Sequence, residues 1–196
     1  DILFWMNTFA WTYDPRLMSS NYEIERPKKI PFISYCFQDF TILEVLECIG
    51  REDILIDKSR DMGASWMIVL ILTWFWQFKN DQSLLMVSRT ENLVEQSGNS
   101  KTLFWKVDFL LEMQPSWLRP LDLGHNNSNT EMTDNHLRMK NKITGSTLDG
   151  EATTGDIARG DRRSAMLIDE AAKIPNGNSV LRATRDVTEC RIFAGT

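Results

Sequence analysis

A chain of 196 residues is long enough for one domain with its own core, and 42% hydrophobic, 25% charged and 10% aromatic content is ordinary for a globular protein. A net charge of −5 and an isoelectric point near 5.1 argue against a protein that grips DNA tightly and alone, so any nucleic-acid contact is expected to be local or shared between subunits. Cys36, Cys48 and Cys190 are scattered, with no C-x-x-C pair and no histidine near them, which argues against a zinc site or a disulfide framework and fits a reducing cytosol.

Residues 1–25 mix Phe4, Trp5, Phe9, Trp11 and Tyr13 with a Tyr-Asp-Pro turn, and their start is expected to be helical and to pack outside the main sheet. The two prolines of Arg26–Phe32 mark a connector. Apolar residues at helical spacing from Phe40 to Ile49 predict a mostly buried helix, with Phe40, Leu43 and Leu46 on one side and Ile42, Val45 and Ile49 on another. A strand is expected at about 54–58, then a tight polar loop, then an apolar helix to about Lys79. Its run from Met67 to Phe78 falls short of the roughly 20 residues of a membrane span. Ser83–Ser88 reads as a second buried strand, followed by a long helical stretch from Glu91 to Met113 that Gly98, Asn99 and Ser100 interrupt and Pro115 and Pro120 end.

Residues 122–136 are polar and asparagine-rich, a loop or insertion. Leu137–Met139 and Lys142–Gly145 read as the arms of a hairpin turning at Asn141, and 149–163 as a glycine-rich charged loop. Ala165–Ile168 is a third buried strand, 179–186 a helix, and Arg191–Ala194 a fourth strand. Short apolar strands alternating with helices predict an α/β domain with a parallel sheet covered on both faces. The chain starts at Asp1 rather than Met and stops at Thr196 just after an apolar run, so a single domain over 1–196, cut from something longer, is expected.

Two stretches carry chemistry. The first is Ile54–Met67, ILIDKSRDMGASWM, in the strand–loop–helix layout of a phosphate-binding P-loop. Such a loop curls backbone N–H groups around phosphates, aims a helix N-terminus at them, and offers a hydroxyl to magnesium. Gly63 and Ser65 fill the sixth and eighth positions of G-x-x-x-x-G-K-[ST], while Ala64 stands where lysine belongs and Lys58 where the first glycine belongs. A lysine acts on phosphate as a point charge on a flexible stem, so Lys58 can serve from the head of the loop. The bland alternative is an ordinary strand-to-helix turn with a surface lysine. The second stretch, Ala165–Ala172, is an apolar strand delivering Asp169 and Glu170 at its end. In P-loop enzymes the first carboxylate holds the water shell of magnesium and the second polarises the attacking water. The two signals lie in the required order about a hundred residues apart.

KSRDMGASW, LIDEAA and FAGT together resemble the ATPase domain of the large terminase subunit of tailed bacteriophages, the motor that pumps DNA into the procapsid. WMNTFAWTYDPR, PFISYCFQ and VSRTENLVEQSGN are also similar to that family, so the resemblance spans nearly the whole chain. It implies a RecA-like P-loop sandwich with Glu170 on the strand next to the P-loop strand. ATP would be held by Lys58, Ser59, Arg60, Asp61, Met62, Gly63, Ala64, Ser65 and Trp66, with Gln38 near the adenine unless it merely caps a helix. Within that set Lys58 would contact the β- and γ-phosphates and Arg60 would steady the phosphates or the loop. Ser65 and Asp169 would ligate Mg²⁺, Glu170 would be the general base, and Thr196 would sense the γ-phosphate. Arg159, in an Arg-Gly ahead of the Asp-Glu strand, would be an arginine finger reaching a neighbouring subunit's nucleotide; its bland alternative is a solvated basic loop with Arg162 and Arg163. The implied partners are double-stranded DNA, the portal protein, the small terminase subunit and further copies in a ring, with no membrane. The implied place is the infected host's cytoplasm at the procapsid portal, and a nuclease domain of the RNase H type would lie elsewhere in the intact protein.

Two rivals stay open. A superfamily-two helicase-like translocase is expected to carry lysine before Ser65, which is absent here. A nucleotide-binding module that has lost catalysis has no need of Glu170. Trp66, Trp74 and Trp76 are expected in the core of the helix, and Lys28, Lys29, His125 and His136 receive no role.

Overall fold

The computed structural model describes residues 1–15, 28–59, 62–120, 130–132, 137–153, 157 and 162–195, with only the backbone path for 130–132. The chain opens with helix α1 (Ile2–Phe9), whose first turn is capped by the Asp1 carboxylate accepting from the Phe4 N–H at 2.9 Å. β1 (Trp11–Tyr13) pairs antiparallel with β2 (Lys29–Pro31), a small ribbon apart from the main sheet. Helix α2 (Cys36–Cys48) follows, then β3 (Ile54–Asp57), α3 (Ala64–Phe78) and β4 (Ser83–Ser88). The expected long helix is two pieces, α4 (Glu91–Val94) and α5 (Leu103–Met113), broken where Gly98 turns with φ 74°. β5 (Thr130–Met132), β6 (Arg138–Asn141) and β7 (Thr147–Ala152) precede β8 (Ala165–Ile168), α6 (Gly177–Ala183) and β9 (Arg191–Gly195).

The main sheet has seven strands in the order β3-β9-β8-β4-β7-β6-β5. The first five run parallel, and β6 and β5 extend the far edge antiparallel. Glu170 therefore follows a strand that is not next to β3: β9 lies between β3 and β8, contrary to expectation. The hairpin also differs. Its second arm is Thr147–Ala152, and Lys142–Gly145 is the turn. Asn141 Oδ1 accepts from the Ile143 N–H at 2.9 Å and Gly145 takes φ 74°, which curls the chain where an extended arm was expected.

The central strands are continuous apolar runs because helices cover them; Leu84 to Val87 are fully buried. One face packs against α1, α2, α3 and α5 through residues such as Met6, Ile42, Ile68, Leu70 and Leu110. The other face is covered more thinly, by α6 and Ile157 over Leu85, Val87, Met166 and Ile168. At the β3 edge that cover ends, and Leu55 is 73% exposed. Helix α2 departs from expectation: Ile42 and Val45 are buried, while Phe40 and Leu43 face outward, so it is half rather than mostly buried. Cys36, Cys48 and Cys190 are free thiols, and burial pushes that of Cys190 up to about 12. Among the described residues no helix is long and apolar enough to cross a membrane.

Candidate functional site

In an open parallel sheet, ligands bind beyond the carboxyl ends of the strands. Here β3 ends at Asp57, β8 at Ile168 and β9 at Gly195, and the chain at Lys58 is tied to β9 by its N–H donating to the Gly195 carbonyl at 3.2 Å. Lys58 is half-buried. The loop that follows closes on Gly63, which takes φ 70°, ψ 10° and forms the N-cap of the 15-residue α3. The left-handed region suits glycine and costs other L-residues. Space is tight as well, since a Cβ on Gly63 would lie 3.2 Å from Gln38 Nε2. The first N–H groups of α3 lack intrahelical partners, and together with the helix dipole they form a site for an anion.

Ser65, in the first turn of α3, donates its hydroxyl proton to Asp169 Oδ1 at 3.1 Å. Asp169 is fixed by its own N–H, which donates to the Val87 carbonyl at 2.9 Å, so the carboxylate sits at the mouth of two adjacent strands. Hydroxyl and carboxylate are hard oxygen donors, the chemistry that suits Mg²⁺ with water and phosphate completing the shell. Among the described residues no group of three or more His, Cys, Asp or Glu side chains forms a metal cluster. Glu170 stands next, at φ 53°, ψ 36°, heading the 3₁₀ turn Ala171–Lys173. A left-handed glutamate is uncommon, and the turn folds Lys173 back so that its Nζ lies 3.0 Å from Glu170 Oε1.

Gln38 is 5% exposed and bridges two parts of the site. Its Oε1 accepts from the Tyr35 N–H at 3.0 Å, capping α2, and its Nε2 donates to the Met62 carbonyl at 3.0 Å, tethering the loop before α3. Beside it opens a cavity of about 870 Å³ lined by Tyr13, Phe32, Tyr35, Gln38, Gly63 and Trp66 among others. Tyr35 and Phe37 stack with centroids 5.6 Å apart and planes 6° from parallel. Trp66 is therefore no core residue: it is half-buried, lines this cavity, and meets Phe109 edge-on, whereas Trp76 is fully buried as expected. A smaller pocket between Gln38, Lys58, Ser59, Met62 and Ala64 joins the loop to α2.

Arg60, Asp61, Arg159 and Thr196 lie outside the described residues. The structure brings together Lys58, Gly63, Ser65, Asp169, Glu170 and Gln38. It adds Lys106 of α5, an ammonium that sequence reasoning missed although a lone lysine inside LFWKVDFLLEM was a visible anomaly. Burial holds the Lys106 ammonium down at about 8, with Asp169 acting to raise it and Lys58 to lower it, so its charge stands within the field of both.

The profile of the family described as terminase large subunit, T4-like-virus type, N-terminal, matches residues 55–193. Among solved structures, the bacteriophage HK97 large terminase superposes with a TM-score of 0.69 at 12% identity, over 100% of this chain and 37% of that one. An arginine-to-alanine variant of the Thermus phage P74-26 large terminase ATPase domain gives 0.56 at 14% identity, over 83% of this chain and 65% of that one. The large terminase of another thermophilic bacteriophage gives 0.54 at 13% identity, over 83% and 39%. This chain thus spans about a third to two thirds of the length of those it resembles, and at such identities the likeness is one of fold. A search of curated proteins found no match.

Proposed function

The chain belongs to the T4-like-virus type of terminase large subunit, as its N-terminal domain with a RecA-like fold, and from that premise we propose that it is the ATP-hydrolysing motor domain of a DNA-packaging machine. The observation that carries the reading is the Ser65 hydroxyl on the Asp169 carboxylate at 3.1 Å, with Glu170 the next residue, at the mouth of a glycine-turned anion cradle. Ser65 and Asp169 would hold Mg²⁺, which would supply positive charge to the phosphates. Lys58 sets its ammonium against the β- and γ-phosphates from the head of the loop, and the N–H groups from Gly63 onward bind their oxygens. Glu170 takes a proton from the attacking water. The aromatic cavity beside Gln38 receives the adenine, with Tyr35 and Trp66 at its walls.

Arg60 steadies the loop, Arg159 acts as an arginine finger on a neighbouring subunit's nucleotide, and Thr196 passes the state of the γ-phosphate onward; a finger of this kind is worth about 10³–10⁵ in rate. Residues 1–196 form one ATPase domain, and its work is translocation of double-stranded DNA into a procapsid. It acts in a ring of copies with the portal protein and the small terminase subunit, at the procapsid in the host cytoplasm. The net charge of −5 supports a shared rather than a solitary grip on DNA.

The test is ATP turnover by the intact protein with DNA, wild type against Glu170→Ala. The reading expects turnover to collapse while ATP binding persists. Equal turnover ends the hydrolase reading for this site, and ATP binding without turnover in the wild type identifies a degenerate binding module. Mixing Arg159→Ala with Glu170→Ala subunits restores part of the activity if the arginine acts between subunits; no recovery counts against that role.

A further inference from the structure

Lys106 occupies a position that three electrostatic rules disfavour. It lies in the first turns of α5, where the helix dipole repels cations. It is only 8% exposed, and a buried charge needs compensation. Its neighbour in charge is another cation, Lys58. The groups that hold it do little to offset this. Its Nζ donates to the carbonyls of Lys101 at 2.7 Å and Thr102 at 3.0 Å, both neutral acceptors, and lies 5.9 Å from the centre of the Trp66 ring. Among the described residues no carboxylate lies within ion-pair distance of it. Among the described residues, the attractive charge acting on it is that of Asp169, which already accepts from Ser65. An ammonium has three N–H donors, and two are satisfied by protein.

We infer that Lys106 is a further phosphate-binding residue of this site, a buried cation whose counter-charge is the polyphosphate of the nucleotide. The inference rests on the ATPase reading and names a second source of the positive charge that Ala64 lacks. Lys58 reaches the phosphates from the head of the loop, and Lys106 meets them from α5, which packs against α3. Its two carbonyl partners fix the side chain before the ligand arrives, so little rotamer freedom is lost on binding. Its low affinity for a proton fits a cation kept waiting for an anion. Trp66 links it to the base cavity, so one residue touches the surroundings of both ends of the nucleotide.

The competing explanation is structural: Lys106 merely staples the 101–102 turn to α5. Lys106→Met and Lys106→Arg separate the two. With intact protein, binding of MgATP and of AMP is measured by calorimetry, and unliganded melting temperature by differential scanning. The inference expects Lys106→Met to lose at least about ten-fold in MgATP affinity, the low end for a charge-assisted hydrogen bond. AMP affinity should change less than about two-fold, the unliganded melting temperature should hold or rise, and Arg should recover part of the loss. A lowered melting temperature with an unchanged ratio of ATP to AMP affinity overturns it. If Lys106→Met does not fold, ¹⁵N NMR of the Lys106 ammonium in the wild type decides: inorganic pyrophosphate must shift that resonance, and an unmoved resonance under saturating pyrophosphate overturns the inference. A wild type that binds neither ATP nor pyrophosphate overturns the ATPase reading as well, whereas a wild type that binds both, beside a Lys106→Met protein that binds them equally, overturns the lysine alone.

Discussion

Replacing Gly63 by alanine separates backbone strain from damage to the anion cradle. Gly63 and Gly50 both lie in the left-handed region, at φ 70° and 78°. At Gly50 a Cβ would meet nothing within 4 Å, so Gly50→Ala measures the backbone term alone, about 1–2 kcal/mol. At Gly63 the same term applies, and the Cβ also arrives 3.2 Å from Gln38 Nε2, tighter than an ordinary contact. That amide is buried and donates to the Met62 carbonyl, so pushing it aside weakens a tether worth about 0.5–1.5 kcal/mol. The sum is about 1.5–3.5 kcal/mol. It need not appear as global instability, because the loop can relax out of the cradle while α3 stays packed. In that case the same energy is lost from nucleotide binding, about 10- to 400-fold in affinity. Urea denaturation and nucleotide titration of both variants are the assay. Gly63→Ala is expected to lose nucleotide affinity, stability or part of each to that total, and Gly50→Ala to lose stability alone. If Gly63→Ala binds nucleotide within two-fold of wild type and is no less stable than Gly50→Ala, the cradle does not depend on this turn.

Burial, followed by the charges of Glu95 and Glu112, raises the Asp108 carboxyl to about 7. Between an unfolded value of 3.8 and about 7 the folded chain holds a proton that the unfolded chain has released. Stability therefore falls as pH rises through that window, by at most about 4 kcal/mol. Denaturant melts from pH 4 to 8 should show Asp108→Asn flattening this slope and exceeding wild type at pH 8; an unchanged slope refutes it. Lys58→Met should weaken MgATP binding at least about ten-fold and, by removing the like charge, raise the Lys106 ammonium above about 8 by NMR; unchanged affinity removes Lys58 from the site. Lys173→Met should change ATP turnover by no more than about five-fold, since exposed ion pairs contribute only about 0.2–1 kcal/mol; a hundred-fold loss in steady-state turnover would make Lys173 part of the chemistry.

Where local composition decided the structure, the sequence was legible. SLLMV and AMLI are apolar because their strands are covered, ILID keeps its apolar run although Leu55 lies at the open edge, and the loop before α3 betrays itself by Gly63 between a strand and an apolar helix. β7, TLDGEA, was illegible because its polarity is compensated by distant residues. Asp149 is buried between Arg138 and Arg163, and Gly150 is there because a Cβ would strike Phe104 and Val94 at 2.6 and 2.5 Å. Strand order was equally hidden: nothing in RIFAG announces that β9 slides between β3 and β8, since both edges of that strand are satisfied by chain far away. At the site, Asp169 and Glu170 were readable as a pair, while Lys106 drew no reading, because what a lone lysine in an apolar helix faces is set by the packing of that helix against α3.

The placement of β9 also explains how Asp169 and Glu170 are held in place beside the loop before α3. Gly195 packs against the turn after Glu170, its Cβ position lying 3.5 Å from the Ala172 N–H nitrogen, and its carbonyl accepts from the Lys58 N–H. The end of β9 is therefore wedged between the loop that starts at Lys58 and the turn after Glu170 and fixes their separation. That wedge, with the Lys173 N–H donating to the Glu170 carbonyl at 2.8 Å, is what maintains φ 53° at Glu170, a conformation that costs about 1–3 kcal/mol. The Lys173 ion pair is too weak and too exposed to do it. Backbone and side chain are thus held by forces of different size. The Glu170 main chain is locked by packing, whereas its carboxylate is retained only by a surface ammonium. The carboxylate can leave that ammonium for a water molecule at little cost while the main chain beneath it does not move.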